Sequence, residues 1–232
     1  RRLSKLYIKV REVSGGRSPS KLVGIKTTKY ACIQSALQTG CVLATIVTPA
    51  FVSAQDLPVN DLLAALKSGG RVLYVQHAMT ETDYADQVVA KLGDCATQRV
   101  LSEDGWAQAK HIGTAVHAQN IKVSEVVASE YCRAWQTTDL AFGRYDTDER
   151  LNLATNEDCT AKGLASMKQN VMPFLSASVG DGARVIVGHD DPFEAATAIY
   201  PEPQGAAYVV RPDGQGGFTV LGRIMADEWP MN

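Results

Sequence analysis

Apolar and polar positions along the chain predict buried strands separated by amphipathic helices. Short apolar runs rich in β-branched residues indicate the strands, and apolar residues three or four positions apart indicate the helices. The strands are predicted at 71–76, 124–129, 183–188, 206–212 and 218–224, the last two as a hairpin. The helices are predicted around 62–66 and over 102–120, 131–143, 160–178 and 191–200. This alternation predicts a three-layer α/β/α sandwich with a mostly parallel central sheet.

Single residues sharpen the helix boundaries. Ser102 precedes an acidic turn and is expected to cap the helix that follows it. Pro201 is expected to end the helix that begins at 191, because proline cannot continue a helix. Trp106 and Trp135 fall on helix faces and are expected to pack in the core.

The first 54 residues differ in composition from the rest. They hold nine of the 23 Lys and Arg residues but one of the 25 Asp and Glu residues. Two lysines, an uncharged apolar run from Tyr30 to Val47 and a small-residue site ending at Ala54 are typical of a secretory signal peptide. A retained membrane anchor and a lipid attached at Cys41 are the alternatives. The predicted organisation is a basic extension over 1–25, a signal peptide over 26–54 and one domain over 55–232.

The predicted export permits a disulfide, and the negative charge of the domain argues against nucleic acid as a partner. A periplasmic or secreted location permits a disulfide among Cys95, Cys132 and Cys159, and any of the three pairs is possible. The domain is acidic, which disfavours nucleic-acid binding, because that requires a cationic face. After cleavage at Ala54, no stable insertion into a membrane is expected.

Ionisable residues follow three predicted strands directly. His77 comes after 71–76, Arg133 lies just beyond 124–129, and His189 comes after 183–188. Ligands of open α/β sheets bind beyond the carboxyl ends of the strands, so these side chains are expected to converge. A guanidinium matches the oxygens of a phosphate group, and an imidazole can attack phosphorus. The sequence therefore predicts a site for a tetrahedral oxyanion.

Four segments in order resemble the histidine phosphatase superfamily, which is phosphoglycerate mutase-like. They are YVQHAMT (74–80), QRVLSEDG (98–105), ASEYCRAWQTT (128–138) and IVGHDD (186–191). The resemblance extends from about Gly70 to the C-terminus. The cysteines within DCATQR and EYCRA are similar to those of a secreted bacterial branch of the family.

The resemblance implies a role for each site residue. His77 would be the nucleophile that forms a phosphohistidine, and Arg133 would bind the transferred phosphoryl group. His189 would donate hydrogen bonds to its oxygens, Arg99 would add a further cation, and Asp190 would be the general acid. The expected activity is that of an exported phosphohydrolase acting on a small phosphorylated substrate. No metal and no other cofactor is expected, because side chains supply the positive charge.

Gln76 departs from the family pattern, which has arginine immediately before the nucleophilic histidine. Gln76 is one of the predicted phosphate-binding residues, but its side chain is a neutral amide and not a charged guanidinium with two parallel donors. The alternative interpretation is therefore a weakly active or inactive anion-binding protein on the same scaffold. If the pocket is otherwise intact, Gln76→Arg is expected to raise the rate of hydrolysis.

The general acid has several candidates. Asp190 follows His189 directly, but it or Asp191 could instead cap the next helix. Other carboxylates follow the nucleophile or lie in later loops, namely Glu81, Asp83, Glu130, Glu149 and Glu157. Without a well-placed acid, substrates with good leaving groups, such as phosphohistidine or an acyl phosphate, are favoured.

Overall fold

The computed structural model describes residues 56–82, 90–154 and 160–231. The extension predicted over 1–25 and the signal peptide predicted over 26–54 lie outside these ranges. The helices are α1 (Val59–Lys67), α2 (Glu103–Ala118), α3 (Cys132–Phe142), α4 (Ala161–Ser176) and α5 (Asp190–Thr197). The strands are β1 (Arg71–Gln76), β2 (Val123–Ala128), β3 (Asp146–Thr147), β4 (Ala183–Gly188), β5 (Ala207–Pro212) and β6 (Phe218–Ile224).

The six strands form one mixed sheet in the order β3-β2-β4-β1-β5-β6. The neighbouring strands β3, β2, β4 and β1 all pair in parallel. β5 runs antiparallel to β1, and β6 runs antiparallel to β5. The two innermost strands, β4 and β1, consist almost entirely of buried residues. This is the pattern of parallel strands covered on both faces.

Apolar side chains fill both faces of the sheet. On one face, Leu73 and Val75 of β1 belong to a core built with residues of α1, α2 and α3. On the other face, Val72 and Tyr74 belong to a core built with residues of α4 and α5. Alternate residues of one strand point to opposite faces, so a single apolar run serves two helical layers. The predicted three-layer α/β/α class with a mostly parallel sheet is confirmed.

Gly113 allows α2 and α3 to approach closely. A Cβ atom at this position would lie 1.9 Å from the carbonyl oxygen of Ala141 and 2.6 Å from its Cα. Both atoms belong to the backbone of α3, so they cannot move aside as the end of a flexible side chain could. We expect Gly113→Ala to lower the free energy of unfolding by about 1–3 kcal/mol in urea titrations.

Gly180 provides the matched control for this prediction. It is exposed, and a Cβ atom there meets nothing within 4 Å. Gly180→Ala should change stability by less than about 0.5 kcal/mol. Equal effects of the two substitutions would contradict the close-approach argument.

The first turn of α2 corrects one sequence prediction. Ser102 caps α2 as predicted, accepting a hydrogen bond from the Gly105 nitrogen at 3.1 Å. Trp106, however, is 49% exposed, so its predicted core position is wrong. The buried position of this turn is Gly105, where a Cβ atom would lie 1.9 Å from the Met79 carbonyl oxygen. The next residue is turned by about 100° and faces outward.

Among the described residues, none of the helices combines the length and the apolar character needed to cross a bilayer.

Candidate active site

Two imidazoles lie side by side where the two central strands end. β1 and β4 are parallel neighbours with Gln76 opposite Gly188, and the His77 nitrogen donates to the Gly188 carbonyl oxygen at 3.0 Å. The next residues, His77 and His189, have ring centroids 5.5 Å apart. Both are almost completely buried. The predicted convergence at strand ends therefore holds for the two histidines.

The His77 ring has a defined orientation. Its Nδ1 atom lies 2.9 Å from the Ala78 carbonyl oxygen, which can only accept a hydrogen bond. Nδ1 of the neutral ring therefore carries the proton, and Nε2 keeps its lone pair. Arg133 Nε donates to this Nε2 at 3.2 Å. The nucleophilic nitrogen thus faces a guanidinium directly.

Arg133 is a buried cation at the start of a helix. It is the second residue of α3, and its side chain is 1% exposed. Its guanidinium carbon lies 5.0 Å from the ring centroid of Tyr131, a cation–π contact that holds it from the side. A buried guanidinium beside a helix N-terminus favours the binding of an anion.

Burial and positive charge keep both histidines neutral. Desolvation, the Arg133 guanidinium and, more weakly, that of Arg99 lower the pKa of His77 to about 3. The pKa of His189 is lowered well below its usual value by burial, by the positive charge of Arg133 and by the neighbouring His77 and Arg99. At neutral pH the His77 ring therefore stays neutral and keeps the lone pair on Nε2.

His189 is held, directly or through a neighbour, by three residues that the sequence did not assign to the site. Its Nε2 atom lies 2.8 Å from Ser129 Oγ, and Ser129 Oγ donates to Asn152 Oδ1 at 2.8 Å. Tyr74 OH donates to the His189 carbonyl oxygen at 2.7 Å. Ser129 belongs to one of the recognised segments. Asn152 lies beyond them, after a short 3-10 turn, and nothing in its sequence context singles it out.

Arg99 is fixed next to the pocket by a covalent link. The structure pairs Cys95 with Cys132, which settles the pairing that the sequence left open; Cys159 lies outside the described residues. Gln98 is fully buried and accepts a hydrogen bond from the Cys132 nitrogen at 2.8 Å. The segment that carries Arg99 is therefore held against the start of α3, the helix that carries Arg133.

The Asp190 carboxylate is engaged by neighbouring groups. Tyr200 OH donates to its Oδ2 at 2.8 Å, and the Asp191 nitrogen donates to its Oδ1 at 3.1 Å. The second contact joins two residues inside α5, whose N-cap is His189 without a side-chain cap hydrogen bond, so the alternative capping role of Asp190 or Asp191 is wrong. The assignment of Asp190 as general acid stays a prediction.

The other candidate acids differ in position. Glu130 is half-buried and accepts a hydrogen bond from Asn152 Nδ2 at 2.8 Å, which brings it nearest to the site residues. Glu81 and Glu149 are exposed, and positions 83 and 157 lie outside the described residues. Within the described ranges, no three His, Cys, Asp or Glu side chains are grouped to hold a metal ion.

Gln76 faces the loop that precedes β5. It is 4% exposed, and its amide nitrogen donates to the carbonyl oxygens of Pro201 at 2.6 Å and Pro203 at 3.2 Å. Gln76 therefore ties the end of β1 to this loop. Its predicted contact with phosphate stays a prediction.

The Gln76→Arg substitution tests whether Gln76 mainly ties β1 to the loop before β5 or mainly contacts phosphate. Because the glutamine is buried and bonded, we expect the larger side chain to lower the free energy of unfolding by about 1–3 kcal/mol. We expect the rate of aryl phosphate hydrolysis to change by less than about threefold, roughly 0.6 kcal/mol in the barrier. Gln169→Arg, which changes an exposed glutamine on α4, is the control. A rate gain of tenfold or more without loss of stability would show instead that the pocket lacks this charge.

No protein-family model matches the sequence, and no curated protein matches it. The solved structure of the protein histidine phosphatase SixA complexed with tungstate is similar at 15% identity and a TM-score of 0.49, covering 69% of this chain and 99% of that one. A phosphoserine phosphatase variant from Entamoeba histolytica, complexed with phosphoserine, is similar at 14% identity and a TM-score of 0.49, with the same coverage.

Proposed function

We propose that this chain is an exported phosphohydrolase of the histidine phosphatase type. The observation that carries the proposal is the contact between Arg133 Nε and His77 Nε2 at 3.2 Å. An oxyanion attracted to the Arg133 guanidinium would take the place of the guanidinium in front of the His77 Nε2 lone pair. His77 would then supply the nucleophile, and Arg133 would hold the phosphoryl group next to it.

The proposed reaction has two steps. His77 Nε2 forms a bond to phosphorus while the bond between phosphorus and the leaving oxygen breaks, and that oxygen keeps the electron pair and takes up a proton. Water then attacks the phosphohistidine, forms the new P–O bond and gives up a proton to solvent, while the N–P bond breaks and His77 regains its lone pair. Arg133 and Arg99 would stabilise the charge on the equatorial oxygens. His77 needs no base to activate it, because burial keeps its pKa near 3.

Export is supported by two features of the chain. The Cys95–Cys132 disulfide is typical of oxidising compartments such as the periplasm. The basic and apolar pattern before Ala54 has the layout of a secretory signal peptide. We propose a periplasmic or secreted location on these grounds.

The substrate is proposed to be a small phosphorylated molecule with a good leaving group. The first candidate acid, Asp190, is already hydrogen-bonded by Tyr200. Weak assistance to the leaving oxygen favours phosphohistidine or acyl phosphate over an alkyl ester, because such groups leave with less help from a proton.

Trapping of the phosphoenzyme tests the proposal. The protein is mixed with a labelled acyl phosphate and quenched at alkaline pH under denaturing conditions. A base-stable, acid-labile label is expected in the wild type and in His117→Ala, whose side chain is exposed on α2. His77→Ala should carry no label. Label that persists in His77→Ala would refute the assignment of the nucleophile.

A second candidate function is anion binding without turnover. The observation that favours it is the engagement of Gln76 with two carbonyl oxygens, which leaves one fewer donor for a transition state. The same experiment separates the two functions. Tungstate binding without any phosphoenzyme and without hydrolysis would favour the binding protein.

A further inference from the structure

The side chain of Asn152 has one possible orientation. Its Oδ1 accepts a hydrogen bond from the Glu130 backbone nitrogen at 2.9 Å, and its Nδ2 donates to Glu130 Oε2 at 2.8 Å. A backbone nitrogen can only donate, and an ionised carboxylate can only accept. The amide therefore cannot be turned over, and its oxygen is the atom that faces Ser129.

This orientation determines where the Ser129 proton lies. Ser129 is fully buried, and its hydroxyl has a single proton, which it donates to Asn152 Oδ1 at 2.8 Å. The Ser129 oxygen then accepts from the Tyr131 nitrogen at 3.2 Å and from His189 Nε2 at 2.8 Å. His189 must therefore carry its proton on Nε2.

The other nitrogen of His189 is left as a lone pair. Nδ1 is buried and has no hydrogen-bond partner among the described residues. A neutral ring with its proton on Nε2 cannot donate from Nδ1 to a phosphoryl oxygen. It can do so only after it gains a second proton.

The surroundings of His189 oppose that second proton while the pocket holds no anion. Burial, the positive charges of Arg133 on α3 and Arg99 in the loop before α2, and the neighbouring His77 ring all disfavour a charged His189. The neighbouring carboxylates are hydrogen-bonded to other residues, Asp190 to Tyr200 and Glu130 to Asn152. Of the two neighbouring phenols, Tyr74 donates to the His189 carbonyl oxygen, and Tyr131 contacts the His189 ring edge-on. A doubly negative phosphoryl group would reverse this balance, because it favours the protonated ring.

We propose that Asn152 is a positioning residue that acts through Ser129 to keep the His189 proton on Nε2, so that a phosphoryl anion binds together with one proton taken up at Nδ1. This inference rests on the proposed function, because it assumes that the pocket binds a phosphoryl group. The proton comes from solvent, and the resulting imidazolium donates to an oxygen of the bound anion.

Nitrogen NMR of the histidine rings measures the tautomer directly, before any ligand is added. The chain has four histidines, and the signals of His77 and His189 are identified by omission in single His→Gln variants. In the free wild type, His189 should be neutral with its proton on Nε2. With tungstate at pH 8, both of its ring nitrogens should be protonated.

Two variants of Asn152 test the relay. In Asn152→Ala, Ser129 is free to donate to His189 Nε2, so the neutral ring should move its proton to Nδ1. In Asn152→Asp, one carboxylate oxygen still accepts the Ser129 proton, and a proton shared with Glu130 replaces the lost amide donor, so the Nε2 tautomer should be retained. Asn170→Ala on α4, which changes a half-buried asparagine outside this network, is the control.

Binding measurements then count the proton. Calorimetry with tungstate in buffers of different ionisation enthalpy should show uptake of about one proton in the wild type at pH 8, with Kd rising about tenfold per pH unit. In Asn152→Ala the uptake should fall to near zero, and Kd should become independent of pH. Asn170→Ala should behave as the wild type.

The outcomes separate this inference from the proposed function. A free wild type with the His189 proton on Nδ1, or an Asn152→Ala variant with the wild-type tautomer, would overturn the inference. Loss of the His77 phosphoenzyme or of all tungstate binding would overturn the proposed function instead. If Asn152→Ala fails to fold, the wild-type and Asn152→Asp spectra still decide, because both must show the proton on Nε2.

Discussion

Replacement of Arg133 by glutamine is expected to lower kcat/KM for an activated aryl phosphate by about 10²- to 10³-fold. The guanidinium is buried and contacts His77 Nε2 at 3.2 Å, so its loss removes the proposed anchor of the phosphoryl group beside the proposed nucleophile. A glutamine can restore a neutral hydrogen bond but not the charge. The rate is measured by initial velocities at saturating and limiting substrate.

The same substitution has an electrostatic signature. The positive charge of Arg133 lowers the pKa of both His77 and His189, so both histidines should become easier to protonate in Arg133→Gln. Arg211→Gln, which changes an exposed arginine on β5, is the control and should hydrolyse substrate within about twofold of the wild type, roughly 0.4 kcal/mol in the barrier. Equal activity of the two variants would remove Arg133 from the proposed mechanism.

Acid is expected to destabilise the folded protein from about pH 6.5 downward. In the unfolded chain, both site histidines bind protons below their ordinary pKa of about 6.5. In the folded chain, burial lowers the pKa of His77 to about 3 and that of His189 well below normal, so neither is protonated in this window. The free energy of unfolding should therefore fall by about 1.4 kcal/mol per pH unit for each histidine.

Urea unfolding between pH 7.5 and 4.5 measures this slope. The raised pKa of Glu194, caused by burial and by Asp191 and Asp190, acts in the opposite direction and offsets part of the loss at the lower end. His77→Gln and His189→Gln should each flatten the slope, whereas His117→Gln should leave it unchanged. A wild-type stability that is constant from pH 7 to pH 5 would show that the two rings are not held neutral.

The layered fold was predictable because its strands are buried and parallel. β1 and β4 are six-residue strands with continuous apolar runs at 72–75 and 185–187, and such runs are readable without knowledge of their neighbours. β3 spans two residues, too few to show any periodicity, and it was not predicted. The exposure of Trp106 escaped prediction for another reason. Helical spacing locates an apolar stripe, but the close contact of Gly105 with Met79 decides which residue of the first turn points inward.

The site was predictable in its central residues only. His77 and His189 stand directly after strands, and Arg133 lies in the first turn of the helix that follows β2, so the rule for strand ends was enough to bring them together. Asn152 comes from the end of a short turn, and its link to Ser129 depends on how two loops pack. The orientation of Gln76 depends on the Pro201–Pro203 loop, far along the chain, which no local pattern could supply.

The pairing of β1 with β4 has a consequence for how such a site can change over time. Because the two histidines follow residues that face each other across a backbone ladder, main-chain geometry sets their separation. Surrounding loops can then vary in length and composition while the distance between the rings is preserved. New specificities could arise at the rim of the pocket without any realignment of its reactive centre.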